Sequence, residues 1–437
     1  MALAQDTAGI AEPARALAGR HILAATIGNA LEFYDFITYS FFAIQIGHAF
    51  FPSKGAFGSL MLSLATFGVG FATRPIGAVV IGTYADKVGR RAAMMLSFIM
   101  MGAAIIGMAL IPGYASIGIA APILAVVARM VMGFSLGGNV GANTAYLMEA
   151  APPERRGLAV SWQGVSQCIA ATIGAGVGMV LSAMMSPQAL DAYGWRIAFL
   201  LGAVTLPFGL FLRRTMPETL HQPEDTGPLA PEGTDLQLAR ASVRIFWIGL
   251  VVLAAGTINT YVTDYITTYA QNTLHMPADV SFFAGVLANA VGAVGVIVGA
   301  VWSDRAGRRP VMIWSNLVCI LITYPVFWWI VAARASAPLL VGISVFGFIS
   351  NVWQGAFYVA LIELLPKRIR GRSFAIVYAC SIAAFGGTTQ LVITWLLHST
   401  GNALAPTWYL IGSAVIAQVA IVLMPESAPV VVAPRAP

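Results

Sequence analysis

The sequence predicts an all-α membrane protein of twelve transmembrane helices in two pseudo-symmetric six-helix bundles. Three observations predict it: a composition too apolar for a water-soluble chain, one polar stretch that divides the apolar runs six and six, and two loop motifs that return at half-length. The 437 residues are 58% hydrophobic and 10% charged, with a mean hydropathy of +0.80. Soluble chains carry roughly 25% charged residues. About 20 apolar residues cross a bilayer as a helix, and a helix satisfies its own backbone hydrogen bonds, which hydrocarbon requires.

The apolar runs fall at residues 22–47, 60–83, 93–111, 120–147, 158–184 and 196–212, then 244–271, 281–302, 311–332, 338–362, 373–397 and 405–424. Residues 1–21 form an N-terminal tail. They contain Asp6, Glu12, Arg15 and Arg20 and lack a short apolar core followed by a small-residue cleavage site, so the first run is expected to be a spanning helix and not a removable signal. Residues 22–214 form the first bundle, 215–243 a linker rich in Pro, Gly and acids, 244–424 the second bundle and 425–437 a C-terminal tail.

Orientation follows from the basic residues of the connections. One set of loops and tails holds Arg15, Arg20, Lys87, Arg90, Arg91, Arg155, Arg156, Arg213, Arg214, Arg240, Arg244, Arg305, Arg308, Arg309, Lys367, Arg368, Arg370, Arg372 and Arg435, and the opposite set holds Lys54 and Arg334. This asymmetry places both termini and the linker in the cytoplasm. The net charge of +6 is thereby a topology signal, and no nucleic-acid partner is needed to explain it. Cys168, Cys319 and Cys380 lie inside apolar runs with no metal or disulfide spacing and read as packing residues. There is no Gly-rich phosphate loop for ATP, no His or Cys cluster for a metal, and no nucleophile–His arrangement for catalysis. The expectation is a non-enzyme without a cofactor.

The repeat is specific. "GTYADKVGRR" (Gly82 to Arg91) returns as "GAVWSDRAGRRP" (Gly299 to Pro310), with Asp86 and Asp304 218 positions apart, as are Arg90 and Arg308. "EAAPPERRG" returns as "ELLPKRIRG", with Glu149 and Glu363 214 positions apart, as are Arg156 and Arg370. Two loops repeated in order imply two halves of one ancestry, the architecture of transporters that rock one half against the other about a central site. Asp86, Arg90, Glu149, Arg156, Asp304, Arg308 and Glu363 are gate candidates. An acid at a helix N-terminus beside arginines can latch the cytoplasmic side, although such charges also serve topology alone.

Charges inside the spans are few and costly. Inserting an ionised Asp at mid-membrane costs roughly 2.5–3.5 kcal/mol. "GNALEFYDFITYSFF" nevertheless holds Glu32 and Asp35, three apart and so on one helix face. Apolar surroundings and mutual repulsion both disfavour the ionised pair, which suits groups that gain and lose a proton. Asp35, then Glu32, are the coupling candidates, with ion pairing to Arg74 or Arg129 as the alternative. Arg129 lies well inside the fourth run and carries a planar fork matched to a carboxylate. It is the first candidate ligand for an organic anion, followed by Arg74. In this reading a proton neutralises an acid and frees an arginine for the substrate. Neutral polar residues near mid-span complete the candidate site: Asn29, Gln163, Gln167, Gln354, Tyr358 and Thr388, with Asn289, Asn351 and Gln390 beside them. Each also reads as an interhelical hydrogen bond worth about 0.6 kcal/mol. Tyr261, Tyr265 and Tyr269 form a stripe that reads as cavity wall or packing.

"GTYADKVGRR" between the second and third runs, with its echo in the second half, resembles the signature loop of the major facilitator superfamily, and the resemblance covers the whole chain. "GNALEFYDF", "GFATRPIGAVVIGTYADKVGRR", "ARMVMGFSLGG" and "FGGTTQ" together resemble its metabolite:proton symporter branch. "SWQGVSQ" and Tyr84 ahead of the signature Asp are similar to the citrate and tricarballylate proton symporters. Asn139, Gln390 and Asp264 depart from the pattern. The resemblance implies the twelve-helix major facilitator fold in a bacterial inner membrane and a functional monomer. It implies import of a carboxylate, citrate or a similar tricarboxylate, by proton symport, with sodium open as the coupling ion. The alternatives it leaves are a dicarboxylate, a shikimate-like acid or a betaine osmolyte within the same branch, and a drug:proton antiporter outside it.

Overall fold

The computed structural model describes residues 19–53, 55–88, 90–137, 155–203, 235–365 and 370–432, with positions 144, 147, 148, 151 and 207. For Asp35, Asp86 and Arg90 it describes the backbone alone, and Glu149 and the linker stretch 208–234 lie outside the described residues. The described residues are helical and contain no strand. Eight of their helices are long and apolar enough to cross a membrane, and Met95–Leu110 and Ala120–Leu136 are shorter apolar helices.

The first run is α1 (Gly19–Phe41) followed by α2 (Ala43–Phe50). The second run is α3 (Ala56–Ala72) and α4 (Arg74–Val88). The break falls at Thr73, two residues before Pro75, which has no N–H to continue the ladder. Thr73 Oγ1 bonds Gly70 O at 3.0 Å and Met130 O at 2.9 Å, which ties the break to the fourth run. Then come α5 (Arg90–Leu110), α6 (Ala120–Leu136) and α7 (Arg156–Met184). The sixth run enters through a π turn at Leu190–Gly194 and is helical over 195–203.

In the second half, α8 (Asp235–Asp264) begins inside the stretch the sequence assigns to the linker and ends in mid-run. Tyr265 interrupts it before α9 (Ile266–Asn272). The rest are α10 (Ala278–Ala306), α11 (Arg308–Ala333), α12 (Ser336–Leu364), α13 (Arg370–Ser381), a π turn at Ile382–Gly386, α14 (Gly387–Thr400) and α15 (Ala405–Leu423).

The halves meet along two pairs, α7 against α10 and α3 against α14. Glycine makes the second pair close. A Cβ on Gly68 would lie 2.7 Å from Gly387 O, and one on Gly387 would lie 2.8 Å from Gly68 O. Beyond this contact the rings of Phe57 and His398 stack with centroids 3.7 Å apart.

His48 lies in the last turn of α2, one residue past the apolar stretch 22–47, with Nδ1 2.9 Å from Asp191 Oδ2. The hydrogen bond to Asp191 holds the imidazole above its ordinary 6.5, against the smaller opposing effect of burial. A raised value means that the contact stabilises fully below pH 6.5 and fades as pH rises through the folded-state value. The melting temperature of wild type is therefore expected to exceed that of His48→Gln by a margin that shrinks with rising pH. A margin that grows with pH would contradict this assignment. Both side chains are half-exposed, so the effect is small.

Candidate functional site

The site begins with glycine. A Cβ at Gly77, Gly133 or Gly137 would overlap backbone of the facing helix: Phe134 O, Gly70 O and Arg74 O respectively. Only bare backbone lets the second and fourth runs approach this closely, and the contact fixes Arg74 and Arg129 near one another. Both are buried, at 3% and 0% exposed. Their guanidinium carbons lie 4.2 and 4.1 Å from the ring centroid of Phe36. Arg74 also covers Phe71 at 4.5 Å, and Arg129 covers Tyr39 at 4.6 Å. Arg129 Nη1 makes long contacts to Phe36 O and Met132 Sδ, each 3.5 Å. Nε and Nη2 of both arginines have no hydrogen-bond partner among the described residues, and no described carboxylate forms an ion pair with either.

Magnitudes decide what this cluster does. A desolvated cation–π contact contributes about 2 kcal/mol. Taking a charge out of water costs several kcal/mol per ion. The rings position the guanidiniums without neutralising them, and an anion reaching the N–H groups that have no partner among the described residues would meet buried charge-assisted donors.

A narrow cavity lies between the halves, beside this cluster. Tyr261 is the shared wall. It lines the cavity and packs edge-on against Phe71, 5.2 Å between centroids, while Phe71 carries Arg74. The polar lining comes from α7 (Gln167), α8 (Thr260, Thr263, Asp264), α10 (Asn289) and α12 (Asn351, Gln354, Tyr358). Polar groups at mid-span normally face such a space.

The structure sorts the expected residues. Gln167, Gln354 and Tyr358 line the cavity, and Gln167 Nε2 donates to Tyr378 Oη at 3.3 Å. Asn29 and Gln163 do not. Gln163 Nε2 donates to Asn29 Oδ1 at 3.2 Å and Asn29 Nδ2 to Ser166 Oγ at 2.6 Å, which joins α1 to α7. Thr388 is exposed at the bundle surface and donates back to Ala384 O at 2.6 Å. Its neighbour Gln390 points inward and donates to Ser40 Oγ at 2.6 Å and Tyr261 O at 3.3 Å. Arg74 and Arg129 stand behind the wall and are not part of the lining. Glu32 is buried at 5% exposed and is likewise not part of the lining. The side chain of Asp35 lies outside the described residues. Of the tyrosine stripe, Tyr261 is wall, while Tyr265 and Tyr269 bond Thr394 and Ala403 O at 2.8 Å each and are packing. Asp264 and Tyr378 carry no role in the sequence reading. The helix break beside Asp264 is the signal that points to it, since broken helices mark transporter sites.

At the other end of α10 sits the gate cluster. Asp304 accepts from the backbone N–H of Gly157 at 2.9 Å and of Leu158 at 3.0 Å. An acid of the second half thereby caps the N-terminus of α7 in the first half, where the helix dipole favours negative charge. Arg308 pairs with Asp304 and, at 3.3 Å, with Glu363. Arg156 lies one residue before the capped Gly157. Asp86, Arg90 and Glu149, the counterparts in the first half, have no described side chains.

Asp304→Asn removes the charge from this cap and leaves one carbonyl for two donors. Breaking a buried charged contact costs about 3 kcal/mol or more. Cys168 lines the cavity, so its thiol reports opening. In a Cys380→Ser background, Asp304→Asn is expected to speed labelling of Cys168 at least about tenfold. Unchanged labelling would remove Asp304 from the latch.

Comparison with known proteins adds relatives. The family model described as Major Facilitator Superfamily matches residues 25–388. A citrate-proton symporter of Salmonella typhi is 34% identical over 410 residues, covering 92% of this chain and 93% of its own. A citrate-proton symporter of Klebsiella pneumoniae is 35% identical over 390 residues, covering 89% and 88%. The crystal structure of a D-xylose-proton symporter superposes with a TM-score of 0.74 at 18% identity, over 93% of this chain and 98% of that one, a likeness of fold.

Proposed function

The chain belongs to the Major Facilitator Superfamily, and from that premise we propose that it imports a carboxylate, citrate or a similar tricarboxylate, in symport with protons. The two halves alternate access to the cavity between them. One observation carries this reading: an amide-lined cavity backed by two buried arginines that have no ion pair among the described residues, in a chain aligned over nine-tenths of its length with a citrate-proton symporter. Neutral donors from Gln167, Asn351 and Gln354 suit the hydroxyl and carboxyl oxygens of such a substrate. Arg129 and Arg74 supply the positive potential that draws an anion in, and their forks become carboxylate ligands when Tyr261 moves with the seventh run. Glu32 and Asp35 of α1 remain proton-coupling candidates. The protein works as a monomer in a bacterial inner membrane, with both termini on the cytoplasmic side where the basic loops gather.

Uptake of labelled citrate into proteoliposomes tests this. With the lumen alkaline, wild type is expected to concentrate citrate above the outside level, and collapse of the pH gradient to release it. Equilibration without accumulation would leave a facilitator. No entry would remove citrate as the substrate.

A further inference from the structure

Asp264 is 1% exposed, is the last residue of α8 before the break at Tyr265, and faces the cavity. Its Oδ1 accepts one long contact, from Asn289 Nδ2 at 3.5 Å. Its Oδ2 is buried and has no hydrogen-bond partner among the described residues. Among the described residues, the titratable groups around it are Cys168 from α7, Tyr261 from its own helix and Tyr358 from α12, all neutral near pH 7. The elements packed there present Phe33 and Ile37 from α1 and Asn289 from α10. No Lys or Arg lines the cavity among the described residues.

An ionised Asp264 here is a buried charge with no cation beside it among the described residues, and a buried charge persists only when paired. A single long amide contact does not replace the lost hydration. A proton on Oδ2 removes the charge and converts an acceptor without a described partner into a donor on a residue that lines the cavity. An arriving carboxylate makes the choice sharper: beside an ionised Asp264 it meets like-charge repulsion, and beside the acid it meets an O–H donor.

We infer that Asp264 is the proton-carrying residue of the cavity: it binds its proton together with the substrate, donates an O–H···O hydrogen bond to a substrate carboxylate, and releases both to the same side. This rests on the proposed carboxylate transport and adds which residue couples it. Coupling is reciprocal by linkage, so substrate raises proton binding as much as the proton raises substrate binding. Glu32 is buried and is not part of the cavity lining.

The test compares purified wild type, Asp264→Asn and Asp264→Glu in three measurements. First, citrate affinity is followed against pH. Wild type is expected to weaken above the titration of Asp264 by about tenfold per pH unit more than Asp264→Asn, and Asp264→Glu to keep a pH-dependent difference. Because citrate's own ionisation is common to all three, the difference between proteins is the readout. Second, at a pH above the titration of substrate-free Asp264, protons taken up per citrate bound are counted in weakly buffered solution, with about one fewer expected in Asp264→Asn. Third, infrared difference spectra of substrate-free wild type minus Asp264→Asn are recorded. A protonated carboxyl C=O band that disappears at high pH is expected. The same pH dependence and proton count in wild type and Asp264→Asn would overturn the inference. If wild type fails to bind citrate, the transport reading falls, and the infrared band still decides whether Asp264 holds a proton. Its absence at every pH overturns the assignment in a form that needs no substrate. If Asp264→Asn does not fold, Asp264→Ser takes its place in all three measurements, with wild-type pH dependence and proton count in that variant overturning the inference.

Discussion

Replacing Arg129 by lysine is expected to weaken citrate binding by at least about tenfold, about 1.4 kcal/mol or more, while the protein inserts and elutes as wild type does. Lysine keeps the positive charge and loses the planar fork. Arg129 stacks on Phe36, Tyr39 and Phe67 and presents Nε and Nη2 with no described partner. A guanidinium that existed for packing alone would lose flat ring contacts on this change, and the damage would appear as poor expression or a lower melting temperature. A guanidinium that grips a carboxylate loses bidentate binding instead. Arg129→Ala decides less, because it also empties a fully buried volume. Wild-type affinity in purified, monodisperse Arg129→Lys protein would move the ligand role to Arg74.

The largest effect on folding is expected at Gly133. A methyl group there would overlap Gly70 O, and backbone cannot step aside as a side-chain end can. Overpacking in a close-packed interior costs about 1–3 kcal/mol, more where the obstacle is rigid. Gly133→Ala would push the second and fourth runs apart and displace both arginines with them. Loss of most folded, monodisperse protein is expected, and any that survives should bind citrate poorly. Gly107 is the control: a Cβ there meets nothing within 4 Å, and helix propensity favours alanine by up to about 1 kcal/mol. Gly107→Ala should match or exceed wild-type stability. Equal melting temperatures for the two variants would contradict the account of the seam.

How legible all this was in the sequence differs by feature. The twelve helices follow from apolar length, which hydrocarbon enforces regardless of packing. The repeated loops marked Asp304, Arg308 and Glu363, and these do form a charged cluster, because both the acid and the arginines need partners at a helix terminus. Which face a polar residue takes is harder. Thr388, Thr389 and Gln390 are consecutive, and the π turn at Ile382–Gly386 shifts the register just before them. Counting along a regular helix therefore does not tell that Gln390 points inward and Thr388 outward. Asn29 and Gln163 read as ligands by depth alone, yet lie opposite one another on packed helices and bond together. Arg129 was visible as a mid-membrane cation, but its rings were not, since Phe36, Tyr39 and Phe67 come from two other helices. Asp264 stood out in the sequence as a departure from the family pattern. Its importance rests on a helix break and a cavity that arise only when α7, α8, α10 and α12 come together.

The account stands on the coupled entry of carboxylate and proton, and the most direct measurement reverses the usual experiment. Proteoliposomes holding the purified protein, with no pH gradient imposed and little buffer outside, receive an inward citrate gradient while external pH is recorded. The account predicts that the outside turns alkaline as citrate enters, that a protonophore abolishes the signal, and that protein-free vesicles give none. Citrate entry with no accompanying proton movement would contradict it.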